Sequence, residues 1–252
     1  MFVLYNFSIL PIGRCHVDIV LYIGLGILDA LAMLLLIMKL FKLPIWTYRY
    51  KIGGLVLFIA VFSYIIRIVL EVPQIDLPLQ YILFALFLRL AVKIKLHLAA
   101  FMCGAGITAY AVLQMVLYFI FQYTGIMSVT VVQQSMGWLV YLLQATSILS
   151  AYLISYGLSR FNLGFSFIPS PPHDFYSKED YLSDHNYVLV IGNVISVITI
   201  CLTLVLLYRA NPLGLLVLAI MNYAMLYYFS KRREDHDSRK PVEMPGNPNK
   251  GS

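Results

Sequence analysis

Long apolar runs constrain this chain more than any other feature of its sequence. Seven stretches are predominantly apolar, and each is close to or above the roughly 18 to 20 residues that a helix needs to cross a bilayer. Backbone N–H and C=O groups find no water in lipid, so these runs are predicted to be helices rather than open strands. The predicted spans are residues 18–38, 52–70, 76–93, 97–122, 132–157, 187–208 and 212–229.

Composition agrees with an all-α polytopic membrane protein. Of the 252 residues, 61% are hydrophobic and 12% are charged, whereas a soluble domain is about one-quarter charged. The net charge of +6 does not indicate nucleic-acid binding, because Lys and Arg lie at the ends of apolar runs rather than on one face. Three widely separated cysteines, Cys15, Cys103 and Cys201, predict neither a disulfide framework nor a zinc site.

The basic residues predict which side of the membrane each link occupies. Fifteen of the 18 Lys and Arg lie in the links after spans one, three and five and in the C-terminal tail, whereas only Arg14, Arg67 and Arg209 lie on the other side. Cytoplasmic links carry the excess of positive charge. We therefore expect residues 1–17 to be a short outer segment, and link 158–186 to be cytoplasmic. The polar tail, residues 231–252, is predicted to be cytoplasmic and disordered.

The cytoplasmic link contains an apolar, aromatic stretch before a run of prolines. Phe161, Phe165 and Phe167 are expected to lie on the inner leaflet, before Pro169 and the prolines after it turn the chain away from the membrane. A cytoplasmic partner would meet this link or the tail.

No metal, cofactor or catalytic site is predicted. No helical spacing brings together the four potential ligands of the link, His173, Asp174, Asp184 and His185. No GxxxxGK[ST] motif indicates ATP. His97 and Cys103 stand six residues apart, which is not a same-face helical spacing, so a membrane cysteine peptidase is disfavoured.

Two intramembrane residues of opposite charge are predicted to pair. Asp29 lies near the middle of span one, where an ionisable residue is costly and marks a functional site or an interhelical lock. Arg89 interrupts span three at a depth about 5 Å from that of Asp29, within the reach of an arginine side chain. The alternative for Arg89 is a side chain that extends to the membrane surface.

A second charged group lies at the predicted outer end of span two. Arg67 and Glu71 are four residues apart, which places both on one helix face and lets Glu71 neutralise Arg67 near the headgroups. The functional alternative is that Arg67, Glu71 and Asp76 line an outer mouth that receives a ligand.

Small and amide side chains predict how the helices pack. Ala100, Gly104 and Thr108 recur at every fourth position of span four and predict a close helix contact. Asn193 and Asn222, in the last two spans, are predicted to form hydrogen bonds between helices.

Three segments of the chain resemble the membrane input regions of Gram-positive peptide-sensing histidine kinases. They are the link KLFKLPIWTYRYK, the edge SYIIRIVLEVP and the third-span stretch LQYILFALFLRLAVK, and the resemblance covers roughly residues 20–230. It implies a bacterial plasma-membrane bundle of six or seven helices that detects a peptide. The sequence contains no phospho-accepting histidine helix and no ATP-binding module, so the expected likeness is to the input region without its kinase. No functional residue carries over.

Two functions from different classes follow from these features. The first is a non-catalytic sensor or accessory protein of the plasma membrane that signals through a separate cytoplasmic protein. The second is a small transporter or permease subunit with Asp29 as its coupling site. The sequence shows no internal repeat and no matching pair of broken helices, which disfavours the transporter.

Overall fold

The computed structural model describes residues 12–127, 137–168, 184–208 and 212–237, and within these ranges its regular structure is entirely helical. Seven α-helices follow one another along the chain. They are α1 (Ile12–Leu40), α2 (Arg49–Tyr64), α3 (Asp76–Leu90), α4 (Leu96–Tyr123), α5 (Trp138–Arg160), α6 (Asp184–Tyr208) and α7 (Pro212–Asp237). Each coincides with one predicted apolar run, so the prediction of an all-α fold is confirmed.

Within the part of the chain that the structure describes, five helical stretches are long and apolar enough to cross a membrane. They are Ile19–Leu40, Trp46–Val69, Leu96–Tyr123, Trp138–Arg160 and Pro212–Asp235. Helix α3 has 15 residues, a length of roughly 22 Å that falls short of the hydrocarbon thickness of about 30 Å. The apolar part of α6 that meets the same criteria is the shorter stretch Val190–Thr203. The chain is therefore a helical, membrane-embedded protein.

Helix α4 is the centre of the bundle and packs against α1, α3, α5, α6 and α7. Its small residues make this possible. A Cβ atom on Gly104 would lie 2.5 Å from Ser196 Oγ of α6, and one on Gly106 would lie 2.2 Å from Ile37 Cγ1 of α1. The predicted close contact along this helix is confirmed at Gly104.

Amide side chains join α4 to the last two helices, as predicted. Asn222 of α7 donates a hydrogen bond from Nδ2 to Thr108 Oγ1 at 2.9 Å. Asn193 of α6 donates from Nδ2 to the His97 carbonyl at 2.8 Å. Such bonds position helices in surroundings where no water competes.

The aromatic stretch of the 158–186 link enters the bundle at the end where α1 stops, here called the Leu40 end. The Phe165 N–H donates to the Leu40 carbonyl at 2.8 Å. Phe165 and Ile168 are 6% and 3% exposed, and the Phe165 and Phe167 rings each lie 5.9 Å from the Phe41 ring. The expectation that the three phenylalanines lie on the membrane surface is therefore wrong for Phe165 and Phe167, because the bundle offers them an aromatic cleft. Phe161 is exposed.

The docked stretch also contacts the last helix. Ser166 donates hydrogen bonds from its backbone N and from Oγ to Glu234 Oε1, at 3.2 and 2.9 Å. Helix α7 continues to Asp237, so the first seven residues of the predicted disordered tail are helical. At the other terminus, α1 begins at Ile12, inside the segment predicted to precede it. Residues 238–252 lie outside the described ranges, as do His173 and Asp174.

Candidate functional site

A buried carboxylate lies at the opposite end of the bundle, here called the Arg67 end, where α2 stops and α3 begins. Asp76 is the first residue of α3 and is 1% exposed. Its Oδ2 atom accepts three hydrogen bonds, from Arg67 Nε at 2.5 Å, Ser63 Oγ at 3.0 Å and Gln80 Nε2 at 3.0 Å. The contact with Arg67 is an ion pair. A buried carboxylate is stable only when it is paired and hydrogen-bonded in this way.

Two adjacent helical segments supply these four side chains in two pairs. Ser63 lies in the last turn of α2 and Arg67 in the π-helical segment Ile65–Val69 that follows it, whereas Asp76 and Gln80 are four residues apart at the start of α3. Residues at this spacing lie one above the other on a helix. The short turn between α2 and α3 therefore places donors on both sides of one carboxylate.

The partner of Arg67 differs from the predicted one, Glu71. Helix α2 changes to π-helical geometry over Ile65–Val69 and then ends. Glu71 follows in a left-handed conformation with φ of 57° and is exposed. Residues four apart share one face only on an uninterrupted α-helix. The π segment and the turn after it break the helix between Arg67 and Glu71, so the two side chains do not share a face. Of the predicted ligand-receiving triad, the structure brings Arg67 and Asp76 together and leaves Glu71 on the surface.

Asp29 belongs to the same group of polar residues. Its carboxylate accepts a hydrogen bond from the Tyr110 hydroxyl of α4 and is hydrogen-bonded by Gln144 of α5. The charges of Arg67 and Asp76 both act on it. We call Asp29, Ser63, Arg67, Asp76, Gln80, Tyr110 and Gln144 the polar cluster.

The predicted pair of Asp29 with Arg89 is not formed. Arg89 follows Asp76 by thirteen residues on α3, which places it roughly 20 Å further along the helix. The prediction matched depths by centring both spans in the membrane. Instead, α3 begins at the depth where Asp76 acts on Asp29, and this displaces Arg89 toward the Leu40 end.

The Arg67 side chain is partly exposed and has hydrogen-bond donors beyond the one that bonds Asp76. Its bond to Asp76 uses Nε, one of the five N–H donors of a guanidinium. The side chain is 39% exposed, whereas that of Asp76 is 2% exposed. Arg67 can therefore donate hydrogen bonds to a carboxylate or carbonyl of a ligand while Asp76 holds the guanidinium in place.

Several members of the polar cluster were missed from the sequence. Gln80 had a usable signal, because it lies four residues from Asp76 on the same helix. Tyr110 and Gln144 had none, since tyrosine and glutamine at single positions of apolar helices are compatible with many roles.

Comparison with known proteins gives no assignment: no protein-family model, no curated protein and no solved structure matches the chain. The functional interpretation therefore depends on the geometry of the chain itself. The likeness to kinase input regions stays a prediction.

Proposed function

We propose that the chain is a seven-span plasma-membrane protein of sensor or accessory type, with its N-terminus outside and its C-terminus inside. In this topology the Arg67 end faces outward and receives a stimulus at the polar cluster. The docked link at the Leu40 end passes the response to a separate cytoplasmic protein. The division of Lys and Arg between the two sides supports this orientation.

One helix connects the two ends, and this observation carries the proposal. Helix α1 contributes Asp29 to the polar cluster and the Leu40 carbonyl to the docked link. The two residues are eleven positions apart, which spans roughly 16 Å of continuous helix. A displacement of α1 at Asp29 would therefore reach Leu40 without passing through a flexible joint.

The contact at Leu40 is suited to a switch between docked and released states. Gly164 has φ of 116°, and a Cβ atom there would lie 2.7 Å from the Leu40 carbonyl oxygen. The remaining attachment consists of ring contacts and the bonds of Ser166 to Glu234. Because the Leu40 carbonyl at the end of α1 bonds Phe165 and leaves no room at Gly164, a movement of α1 acts directly on the docked link.

We expect a change at Arg67 to alter the reactivity of the link. Ile168 is 3% exposed, so a cysteine in place of it should react slowly with a maleimide in isolated membranes. Arg67→Met should increase its labelling rate several-fold, because Asp29 of α1 loses the attraction of the nearby Arg67 charge and α1 is then free to shift. Gly164→Ala serves as the positive control, since its side chain cannot fit against Leu40.

Two controls separate this coupling from general loosening of the protein. Cys103, which is 0% exposed, should stay unreactive in every variant. Glu71→Gln changes an exposed charge near the same end and should leave the Ile168→Cys rate unchanged. Equal rates in the parent and the Arg67→Met variant would contradict the proposal.

The orientation has its own test. A cysteine placed in residues 173–185 should be protected from an impermeant thiol reagent in intact cells and should react once the cells are opened. Reaction in intact cells would place the link outside and reverse the assignment.

A transporter or permease subunit is the second candidate, and the position of Asp29 favours it. This carboxylate lies where α1, α4 and α5 meet, and an intramembrane acid at a junction of helices is a typical coupling site. The two functions differ in what Asp29→Asn does. A transporter should lose solute uptake and keep its folded stability, whereas a sensor should show no uptake to lose.

A further inference from the structure

The polar cluster contains unequal numbers of positive and negative groups. Among its residues the charged side chains are two carboxylates, Asp29 and Asp76, and one guanidinium, Arg67. Arg67 and Asp76 are in direct contact at 2.5 Å. The negative charge of Asp76 therefore neutralises most of the positive charge of Arg67.

The direct hydrogen-bond partners of Asp29 are neutral. They are the Tyr110 hydroxyl from α4 and the Gln144 side chain from α5. A further polar group faces this region, the Tyr152 hydroxyl of α5. It donates a hydrogen bond to the Leu28 carbonyl at 3.1 Å. The charges that reach Asp29 from the α2 and α3 side are those of Arg67 and Asp76, which oppose each other.

An ionised carboxylate in such surroundings carries a high energetic cost. Neutral donors stabilise it less than a cation of its own would, and lipid and apolar side chains do not solvate it. A carboxylate in this position lowers its energy by taking a proton from water. The Gln144 amide suits both forms, because its carbonyl accepts from a protonated acid and its NH2 group donates to an ionised one.

We propose that Asp29 is a proton-binding site, which takes up a proton between Tyr110 and Gln144 when the surroundings become mildly acidic. One proton from water forms the bond to a carboxylate oxygen, and the same proton returns to water when the site empties. Emptying the site adds a negative charge near the Arg67–Asp76 pair and draws Arg67 toward Asp29. The site is independent of the choice between sensor and transporter.

Infrared spectroscopy of the protein in lipid bilayers tests the proposal directly. At mildly acidic pH we expect the carbonyl stretch of a protonated carboxylic acid, with the small downshift that deuterium oxide causes, and we expect the band to fade as the pH is raised. Asp29→Asn should remove this band, and Asp76→Asn should retain it. Absence of the band from the parent protein, or its full persistence in Asp29→Asn, would overturn the proposal. A bound metal cation in place of the proton would also give no band.

Thermal stability in detergent gives a second reading that does not depend on spectral assignment. Asparagine has the shape and charge of a protonated aspartate, so Asp29→Asn should melt within a few degrees of the parent protein at mildly acidic pH. Asp76→Asn, which leaves Arg67 without its anion, should melt clearly lower. An Asp29→Asn variant that is as unstable as Asp76→Asn, or fails to fold, would show that Asp29 is ionised in the native bundle.

Discussion

Replacing Arg67 by methionine is expected to lower the free energy of unfolding by about 3 kcal/mol, the lower end of the cost of breaking a buried ion pair. The change leaves Asp76, which is 1% exposed, with only the neutral donors Ser63 and Gln80. The lower end applies because the Arg67 side chain itself is 39% exposed and partly screened. Denaturant titration of the purified protein in mixed micelles measures this free energy.

The double change Arg67→Met with Asp76→Leu should recover much of that loss. With both charges removed, no ion is left stranded among apolar side chains, and such replacements are often tolerated. The four proteins form a double-mutant cycle whose coupling energy isolates the pair. Glu71→Gln is the matched control and should change stability by less than about 0.5 kcal/mol, as is usual for a surface position. Additive losses in the cycle would remove the ion pair from the account.

Gly106→Ala is expected to destabilise the bundle by about 2–3 kcal/mol, the upper part of the range for overpacking a well-packed core. The new Cβ would lie 2.2 Å from Ile37 Cγ1 and 3.0 Å from Ile37 Cα. A rotamer change can remove the first contact, but the second involves backbone, so α1 and α4 must separate. Helix propensity acts in the opposite direction by about 0.5–1 kcal/mol, so the measured loss is a net value.

Gly157→Ala in α5 is the matched control, because a Cβ there meets no atom within 4 Å. It should stabilise the protein by up to about 1 kcal/mol through helix propensity alone. If Gly106→Ala were as stable as the parent, α1 and α4 would not pack as closely as described.

The helices were predictable because each depends on local apolar content. Length decides whether a run crosses lipid, and this is read directly from the sequence for α1, α2, α4, α5 and α7. The interhelical bonds of Asn193 and Asn222 were predictable for a related reason: an amide inside an apolar bundle has few other partners.

The charge pairs were not predictable from spacing or depth. Pairing Arg67 with Glu71 assumed a regular helix, and the change to π geometry at Ile65 depends on how α2 packs near its end. Pairing Asp29 with Arg89 assumed that α3 is centred in the membrane, whereas its start is set by the contact of Asp76 with Arg67. Both errors concern tertiary placement, which no single helix encodes.

The docked link shows the same division between local and tertiary information. Its aromatic content was visible in the sequence and correctly indicated burial of apolar surface. The surface that accepts it, around Phe41 and Phe101, is built from two other helices and was assigned to lipid instead. Gly164 is the one local signal that was overlooked, because a glycine in a link predicts a close backbone approach or a positive φ.

Hydrogen–deuterium exchange at the Phe165 amide tests most directly whether the two ends of the bundle are coupled. That N–H donates to the Leu40 carbonyl at 2.8 Å, so in the parent protein it should exchange much more slowly than an open link amide. In Arg67→Met its exchange should accelerate at least several-fold, while peptides around Cys103 in α4 and the Glu71→Gln control keep the parent rate. Equal protection of Phe165 in the parent and in Arg67→Met would contradict the central claim that α1 carries a change at the polar cluster to the docked link.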